Sequence, residues 1–544
     1  MTVDDSTAES IDSVTLEVFR NKLESIAEEM GKVLIRSAYS PNIKERQDCS
    51  TALFDADGRM VAQAEHIPVH LGAMPDAVAA VTAKDPEPGD AYILNDPFEG
   101  GTHLPDVTIV SPIATESDVI GYAVTRAHHA DMGGMTPGSM PAGATDIYQE
   151  GLRLPAVKLR SGGELNEDLL AMILANVRNR TERRADLRAQ LAAHDRAEDR
   201  LRSLIDEHGR DQVNQAFGAV INYSQARMTD ELTAFPDGTY EAHDVLEGDG
   251  VSDAEIPIRV SITVDGATVE VDFTGTADQC AGNMNAPLSV AKSAVYFVVR
   301  CITDPEIPPN YGSYADITVT APQGTVVNPT PPASVVGGNV ETSQRLTDVV
   351  FAAFAEAAPE RVPAASQGTM NNVIIGNRDR GGFTYYETIG GGFGARPDKD
   401  GMDGVQVGMT NTLNTPIEVL EAEYPFTVEQ YGFREGSGGD GQYRGGLGLV
   451  RSVTIETEAV VSLLTERRRR RPQGAAGGEP GAAGENLANG EPLPAKTTRE
   501  VEAGTTITVR TPGGGGYGNP SKRTADDRKA DRLDEKVSDN HEDQ

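Results

Sequence analysis

Nine histidines occur in the chain, and five of them, His66, His70, His103, His128 and His129, fall between residues 66 and 129. Histidines grouped with carboxylates at strand ends are how divalent-metal sites are built. The strongest combination lies in two segments, Asn95-Asp96-Pro97-Phe98-Glu99-Gly100-Gly101-Thr102-His103-Leu104-Pro105-Asp106 and His128-His129-Ala130-Asp131-Met132-Gly133-Gly134. Each adjoins an apolar run that reads as a buried strand. If those strands are neighbours, His103 and Asp106 meet one of the paired histidines, His128 or His129. Two imidazoles and a carboxylate leave positions open on a divalent ion, and Mn, Zn and Fe all suit that set. Such an ion lowers the pKa of water and polarises a carbonyl. The neighbouring glycines allow close backbone approach or positive φ. The competing assignment is a polar loop with hydrogen-bonded structural histidines.

Other residues carry weaker signals. His66 and His70 are four apart, a spacing that would share a helix face, but Pro68 between them argues against a helix. They are expected to support the centre or to serve structure. In Gly390-Gly391-Gly392-Phe393-Gly394-Ala395-Arg396, the backbone N–H groups of Gly391 and Gly392 with Arg396 could cradle an anion. A series of tight turns is the competing assignment. His129-Ala130-Asp131 has the spacing used by non-haem iron oxygenases. The chain shows no GxxxxGK[ST] phosphate loop, since its Gly31-Lys32 pair falls inside a helical stretch, and no GxSxG nucleophile elbow.

The elements that must position these residues are legible in outline. Leu16, Phe19, Leu23, Ile26, Met30 and Val33 repeat at helical spacing, predicting a helix over 14–38 with Thr15 near its start. Residues 50–54 and 60–64 flank the turn Asp55-Ala56-Asp57-Gly58, a hairpin pattern. Runs at 91–94, 107–113 and 119–124 read as buried strands beside the histidine segments. Residues 165–228 read as a helical hairpin projecting from the body, with the Arg-rich stretch 178–202 polar on its outer face. Strands dominate beyond Gly238, with helices at 290–301 and 344–358. The fold class is α+β, a large multi-domain chain, β-rich with helical N-terminal and central segments. The expected division is a flexible N-terminus (1–13), a metal-binding α/β domain with a helical extension (14–228), a β-rich domain with Gly-rich loops (229–520) and a disordered acidic tail (521–544).

The 544 residues exceed one ordinary core. The net charge of −35 comes from 83 acidic against 48 basic residues, of which 11 are Lys. Dispersed carboxylate excess with scarce lysine fits a surface kept soluble at high salt. Nucleic acid is excluded as a partner, because phosphate backbones require clustered positive charge. Three scattered cysteines suit a reducing compartment. The polar, acidic start lacks a signal-peptide pattern, and no run approaches the ~20 apolar residues of a membrane span. A cytoplasmic protein is expected.

Ordered motifs extend along the chain: NIKERQDCSTALFD (42–55), AQAEHIPVHLGAM (62–74), NDPFEGGTHLPD (95–106), HHADMGGMTPGSMP (128–141), QEGLRLP (149–155), GNVETSQRLTD (338–348), GGGFGARP (390–397), MTNTLNTPIEVLE (409–421) and TPGGGGYGNP (511–520). With these the sequence resembles the hydantoinase B/oxoprolinase family, which includes N-methylhydantoinase subunits and large subunits of ketone carboxylases. The resemblance implies a hetero-oligomer with a hydantoinase A-type subunit that binds ATP and activates the substrate. It implies hydrolysis of a cyclic amide, such as a hydantoin or 5-oxoproline, with water activated at a divalent metal. Carried over by motif, the metal ligands are His103, Asp106 and His128. His129, Asp131 and Glu150 would orient them or meet the substrate, and Asp96 joins the substrate or anion contacts. Gln406 and Gly408 stand where many members carry histidines. An acetone- or acetophenone-type carboxylase is the alternative within the family. An iron oxygenase and an inactive structural subunit are the rivals outside its chemistry.

Overall fold

The computed structural model describes residues 11–65, 67–115, 118–377 and 382–537. His66 and the expected flexible N-terminus through residue 10 lie outside the described residues. The first helix, α1 (Ser13–Ser37), buries Phe19, Leu23, Ile26, Met30 and Leu34 on one face. Its start is set by Asp12 rather than Thr15. The Asp12 carboxylate accepts from the Val14 and Thr15 N–H groups, and the Thr15 hydroxyl donates to it as well. An anion at this position also suits the helix dipole.

After the short α2 (Pro41–Lys44), a seven-stranded sheet forms from β1 (Cys49–Asp55), β2 (Met60–Glu65), β3 (Ala91–Leu94), β4 (Asp106–Thr115), β5 (Asp118–His128), β6 (Val157–Ser161) and β7 (Glu164–Leu165). The spatial order is β2-β1-β5-β4-β3-β6-β7. The expected strands beside the histidines are present, and the central pair β4–β5 is antiparallel. Helix α3 (Met74–Thr82) lies between β2 and β3 in the chain, and α4 (Glu167–Asn176), α5 (Arg180–His208) and α6 (Arg210–Thr233) follow the sheet. The helical hairpin does not project. Ala189, Ala193, Ala197 and Leu201 of α5 share one core with Phe19, Leu23 and Met30 of α1 and Ala123 and Ala127 of β5. Alanines at every fourth position let α5 lie close against α1 and the sheet, and its Arg183 is buried against Asp186 at 3.0 Å.

A second sheet, ordered β11-β10-β9-β8, comprises β8 (Gly238–Leu246), β9 (Ile256–Asp265), β10 (Thr268–Asp272) and β11 (Ile317–Thr320). Period-two burial of Ile256, Ile258, Val260, Ile262 and Val264 along β9 sends one face inward. Helices α7 (Leu288–Ile302) and α8 (Ser343–Ala357) join that face. The resulting core runs from Phe54 and Val124 of the first sheet through Val260, Val295 and Val350 to Ile374. A π-helical turn, Gly338–Thr342, leads into α8.

The remaining chain adds β12 (Asn372–Gly376), β13 (Thr384–Thr388), α9 (Ile417–Glu423), β14 (Phe426–Phe433), β15 (Leu449–Ile455), β16 (Ala459–Leu464), β17 (Glu485–Ala488), β18 (Glu491–Pro492), β19 (Lys496–Val501) and β20 (Thr505–Arg510). They form two sheets, β13-β12-β16-β19 and β14-β15-β20-β17-β18, around Ile375, Leu420, Val461 and Ile507. The whole is a multi-domain α+β fold, as its sequence led us to expect. The segment from 521, expected to be disordered, carries α10 (Ala525–Leu533) capped by the Thr524 side chain. Arg523 anchors it by pairing with Asp531 at 2.7 Å and Asp400 at 2.8 Å, so charge pairing replaces the missing apolar contacts. Among the described residues no helix is long and apolar enough to cross a membrane.

Candidate metal centre

Antiparallel pairing of β4 with β5 sets Asp106 directly opposite His128 at one end of the sheet. Just upstream, the Asp106 N–H donates to the His103 carbonyl, closing a tight turn that returns His103 toward the carboxylate. Gly101 is required in the preceding loop, since a Cβ there would sit 2.5 Å from the Asn95 carbonyl oxygen. Asn95 in turn donates to the Leu104 carbonyl and accepts from the Leu154 N–H, fixing the loop from both sides.

The result is a buried cluster. His103 Nε2 lies 3.0 Å and His128 Nδ1 3.2 Å from the same oxygen, Asp106 Oδ1. One potential ligand atom from each of the three residues falls within 4.8 Å of the others. Asp106 Oδ2 accepts from the Thr102 hydroxyl at 2.7 Å and from Asn339 Nδ2 at 3.3 Å. His70 adds a further imidazole: its Nδ1 is 2.9 Å from Ser50 Oγ and its Nε2 is 3.7 Å from Asp106 Oδ2. Pro68 does exclude an α-helix, and a single 3-10 turn (Pro68–His70) delivers this ring. Tyr386 stacks on His128 with ring centroids 4.6 Å apart, and the Arg46 guanidinium lies over the Tyr386 ring.

Burial alone would raise the Asp106 carboxyl, but His103, with further support from His128 and His70, holds it well below the usual range. Burial lowers His70, and pushes His128 down to about 4. A neutral His128 beside an ionised Asp106 is the pair of protonation states that metal ligation requires. Nδ1 of His103 and Nε2 of His128 are buried without a hydrogen-bond partner, and His103 Nε2 has only its contact with Asp106. A buried polar atom left unsatisfied calls for an explanation, and a divalent cation at these three residues supplies one.

The other expected residues divide. His129 faces the helical side, where its Nε2 is 3.0 Å from Gln190 Oε1 of α5, and burial lowers it to about 4. Register therefore separates two histidines that spacing could not. Asp131 is occupied in shaping its own loop: it accepts from the N–H groups of Gly133, Gly138 and Arg178 and from the Arg178 guanidinium. Glu150 Oε1 accepts from the Ser334 hydroxyl and the Val335 and Val336 N–H groups, while Oε2 has no partner. Burial pushes its carboxyl up to about 7. Asp96 accepts from the Phe98 N–H and pairs with Arg153 at 3.2 Å. The N–H groups of Gly391 and Gly392 are already spent on the Val405 and Pro512 carbonyls, so they are not free for an anion. Arg396 lies over Phe393, its centre 5.9 Å from the ring centroid. Gln406 donates weakly to Thr388. Gly408 has a left-handed φ of +59°, and a Cβ there would meet Gln344 Oε1 at 2.2 Å, so a histidine at 408 would need a strained backbone and a displaced Gln344 side chain.

Several neighbours of the centre escaped the sequence reading. Asp48 is buried, and burial together with the Asp106 charge pushes its carboxyl to about 7 against the pull of Arg46. Arg46, Tyr386 and Asn339 have no histidine or carboxylate spacing to mark them. Asp48, Arg46 and Asn339 do sit inside the motifs 42–55 and 338–348.

Known proteins share this architecture. The chain is 43% identical over 538 residues to an uncharacterised protein of Methanocaldococcus jannaschii, covering 97% of this chain and 94% of that one. It is 38% identical to 5-oxoprolinase 1 of Arabidopsis thaliana over 93% of this chain, but spans only 42% of the plant protein's length. The crystal structure of ATP-dependent caprolactamase from Pseudomonas jessenii superposes with a TM-score of 0.90 at 29% identity, covering 97% of this chain and 95% of that one. Matched across residues 12–520, this chain belongs to the Hydantoinase B/oxoprolinase family.

Proposed function

We propose that this chain is the B-type subunit of an ATP-dependent cyclic-amide hydrolase, opening a ring such as a hydantoin or 5-oxoproline after a hydantoinase A-type ATPase subunit has activated it. The carrying observation is the buried grouping of His103, Asp106 and His128 with imidazole nitrogens that no hydrogen bond uses. A divalent ion held by these three residues would supply Lewis-acid polarisation of a carbonyl and a lowered pKa for water. Thr102 and Asn339 hold the Asp106 carboxylate in place, and Tyr386 fixes the plane of the His128 ring. Such outer contacts set ligand orientation and basicity. Glu150, with one oxygen free and its carboxyl near 7, is suited to hold or move a proton at that oxygen.

Two facts support a separate ATPase partner and hence a hetero-oligomer. The plant 5-oxoprolinase carries more than half of its length outside the region matched here. The run 391–394, a candidate phosphate cradle by composition, uses its N–H groups internally.

The test is elemental analysis of the purified chain, then ATP hydrolysis with its ATPase partner on hydantoins, 5-oxoproline, ε-caprolactam, and ketones with bicarbonate. About one divalent ion per chain and ATP turnover stimulated by a cyclic amide are expected. Stimulation by a ketone with bicarbonate alone would replace the hydrolase with a carboxylase. A metal-free chain would remove the centre.

A further inference from the structure

Asn339 lies in the π-helical turn Gly338–Thr342, 233 residues from Asp106 in sequence but in contact with it. Single π turns inside helices recur at functional sites because they push one residue out of helical register. Here the turn has a visible cause. The Gly338 N–H donates to the Asn283 carbonyl, and a Cβ on Gly338 would sit 1.9 Å from the Asn285 carbonyl oxygen. The Thr342 hydroxyl donates to the Met284 carbonyl, and the Ser343 hydroxyl donates to the Asn339 carbonyl. The backbone of Asn339 is thus gripped between the segment 283–285 and α8, and its side chain, 3% exposed, reaches the centre.

The side-chain orientation follows from chemistry. A carboxylate only accepts hydrogen bonds, so the Asn339 amide nitrogen must face Asp106 Oδ2, as it does at 3.3 Å. The amide oxygen is then turned away from Asp106. That Oδ1 is buried and has no hydrogen-bond partner. It is an acceptor beside a centre whose other open atoms include the imidazole nitrogens His103 Nδ1 and His128 Nε2 and the Glu150 carboxylate oxygen Oε2. An unpaired buried acceptor is costly unless a donor arrives. A lactam, hydantoin or oxoproline ring carries such a donor, the N–H next to the carbonyl to be hydrolysed.

We propose that Asn339 recognises the substrate by accepting the ring N–H of the cyclic amide through Oδ1, while Nδ2 stays on Asp106. The chain would therefore select secondary over N-alkylated cyclic amides at the amide nitrogen. This rests on the cyclic-amide reading above and names the group that reads the ring.

The experiment compares wild type with Asn339→Ala, each with its ATPase partner. The paired substrates are 5-oxoproline and N-methyl-5-oxoproline, or ε-caprolactam and N-methylcaprolactam where the panel selects the larger ring. Wild type is expected to favour the N–H compound by at least ~10-fold in kcat/KM, since a lost hydrogen bond leaves a buried acceptor unpaired. In Asn339→Ala both compounds should lose the contribution of the Asp106 contact, and the N–H compound should lose about 10-fold more than the N-methyl compound, mostly through KM. Discrimination then collapses when the two proteins are compared at equal metal content. Asn339→Ser serves as the second variant should alanine impair folding, with the same pattern expected. An equal loss on both compounds, with discrimination kept, would leave Asn339 as a support of Asp106 alone and overturn the proposal. Wild-type indifference to N-methylation overturns it too, while leaving the hydrolase reading intact. Absence of wild-type turnover on every cyclic amide removes both.

Discussion

The loops around His103 and His128 and the glycine runs around Gly392 and Gly514 look alike in sequence, since both are dense in small residues beside polar ones. Their outcomes are opposite. Around Asp106, glycine lets the backbone fold tightly enough to bring imidazoles from two strand ends onto one carboxylate, and a nitrogen of each stays open. Around Gly392, the backbone donors are consumed one by one. Gly392 bonds to the Pro512 carbonyl, Phe393 to Met402, Gly514 to Gly446, Gly515 to Ala365 and Gly516 to Glu479. The first region gathers polar groups and leaves them unsatisfied, whereas the second gathers strands of backbone and satisfies them. Unsatisfied buried polar groups, not glycine content, distinguish a site from packing.

The largest effects should come from the first region. Asp106→Asn and His128→Gln are expected to lose the metal and at least ~1000-fold in activity, about 4 kcal/mol of transition-state stabilisation. His129→Gln should retain the metal, because His129 is turned to Gln190 on α5. Elemental analysis of the three variants, with circular dichroism to confirm folding, separates them. A metal-free His129→Gln beside a metal-loaded His128→Gln would reverse the assignment and with it the meaning of the β4–β5 register.

In the second region the effect should fall on stability. A Cβ at Gly392 would lie 2.1 Å from both the Gly446 oxygen and the Gly514 nitrogen. Neither is the movable end of a side chain, so Gly392→Ala is expected to destabilise by about 1–3 kcal/mol. A lowered urea midpoint with unchanged metal content would sharpen the contrast. A variant as stable as wild type would show that these backbones have room to separate, and the packing account would fail.

How much could be read in advance follows the same division. Short-range patterns were legible: the helical period of α1, the hairpin β1–β2, and the buried runs of β3, β4 and β5 all depend on neighbours in sequence. The segments holding His103, Asp106 and His128 were legible for that reason, because strand ends bearing histidine have a local signature. The choice between His128 and His129 was not, since it depends on which β5 residue faces Asp106 across the ladder. Asp131 was a fair candidate by type, yet Arg178, 47 residues away, claims its carboxylate. Asn339 lies in the motif 338–348, but its approach to Asp106 was beyond reach, because its turn exists only where Gly338 meets Asn285. The glycine runs were ambiguous in principle, as a cradle for an anion and a seam of packed backbone demand the same residue.

Arg396 gives the smallest and most delicate test. It adjoins Gly391 and Gly392, and its side chain is half-buried with Nε unpartnered. Its guanidinium lies over Phe393, an arrangement worth about 0.5–1 kcal/mol near a surface. With the adjacent N–H groups already bonded, one guanidinium lacks the converging donors an anion site needs. Arg396→Ala should therefore cost no more than about 1 kcal/mol of stability and leave KM for an anionic cyclic amide such as 5-oxoproline unchanged. A rise in KM for 5-oxoproline, absent for uncharged ε-caprolactam, would give Arg396 a carboxylate to bind. The glycine region would then hold ligand as well as backbone, and the contrast with the histidine centre would narrow to one of degree.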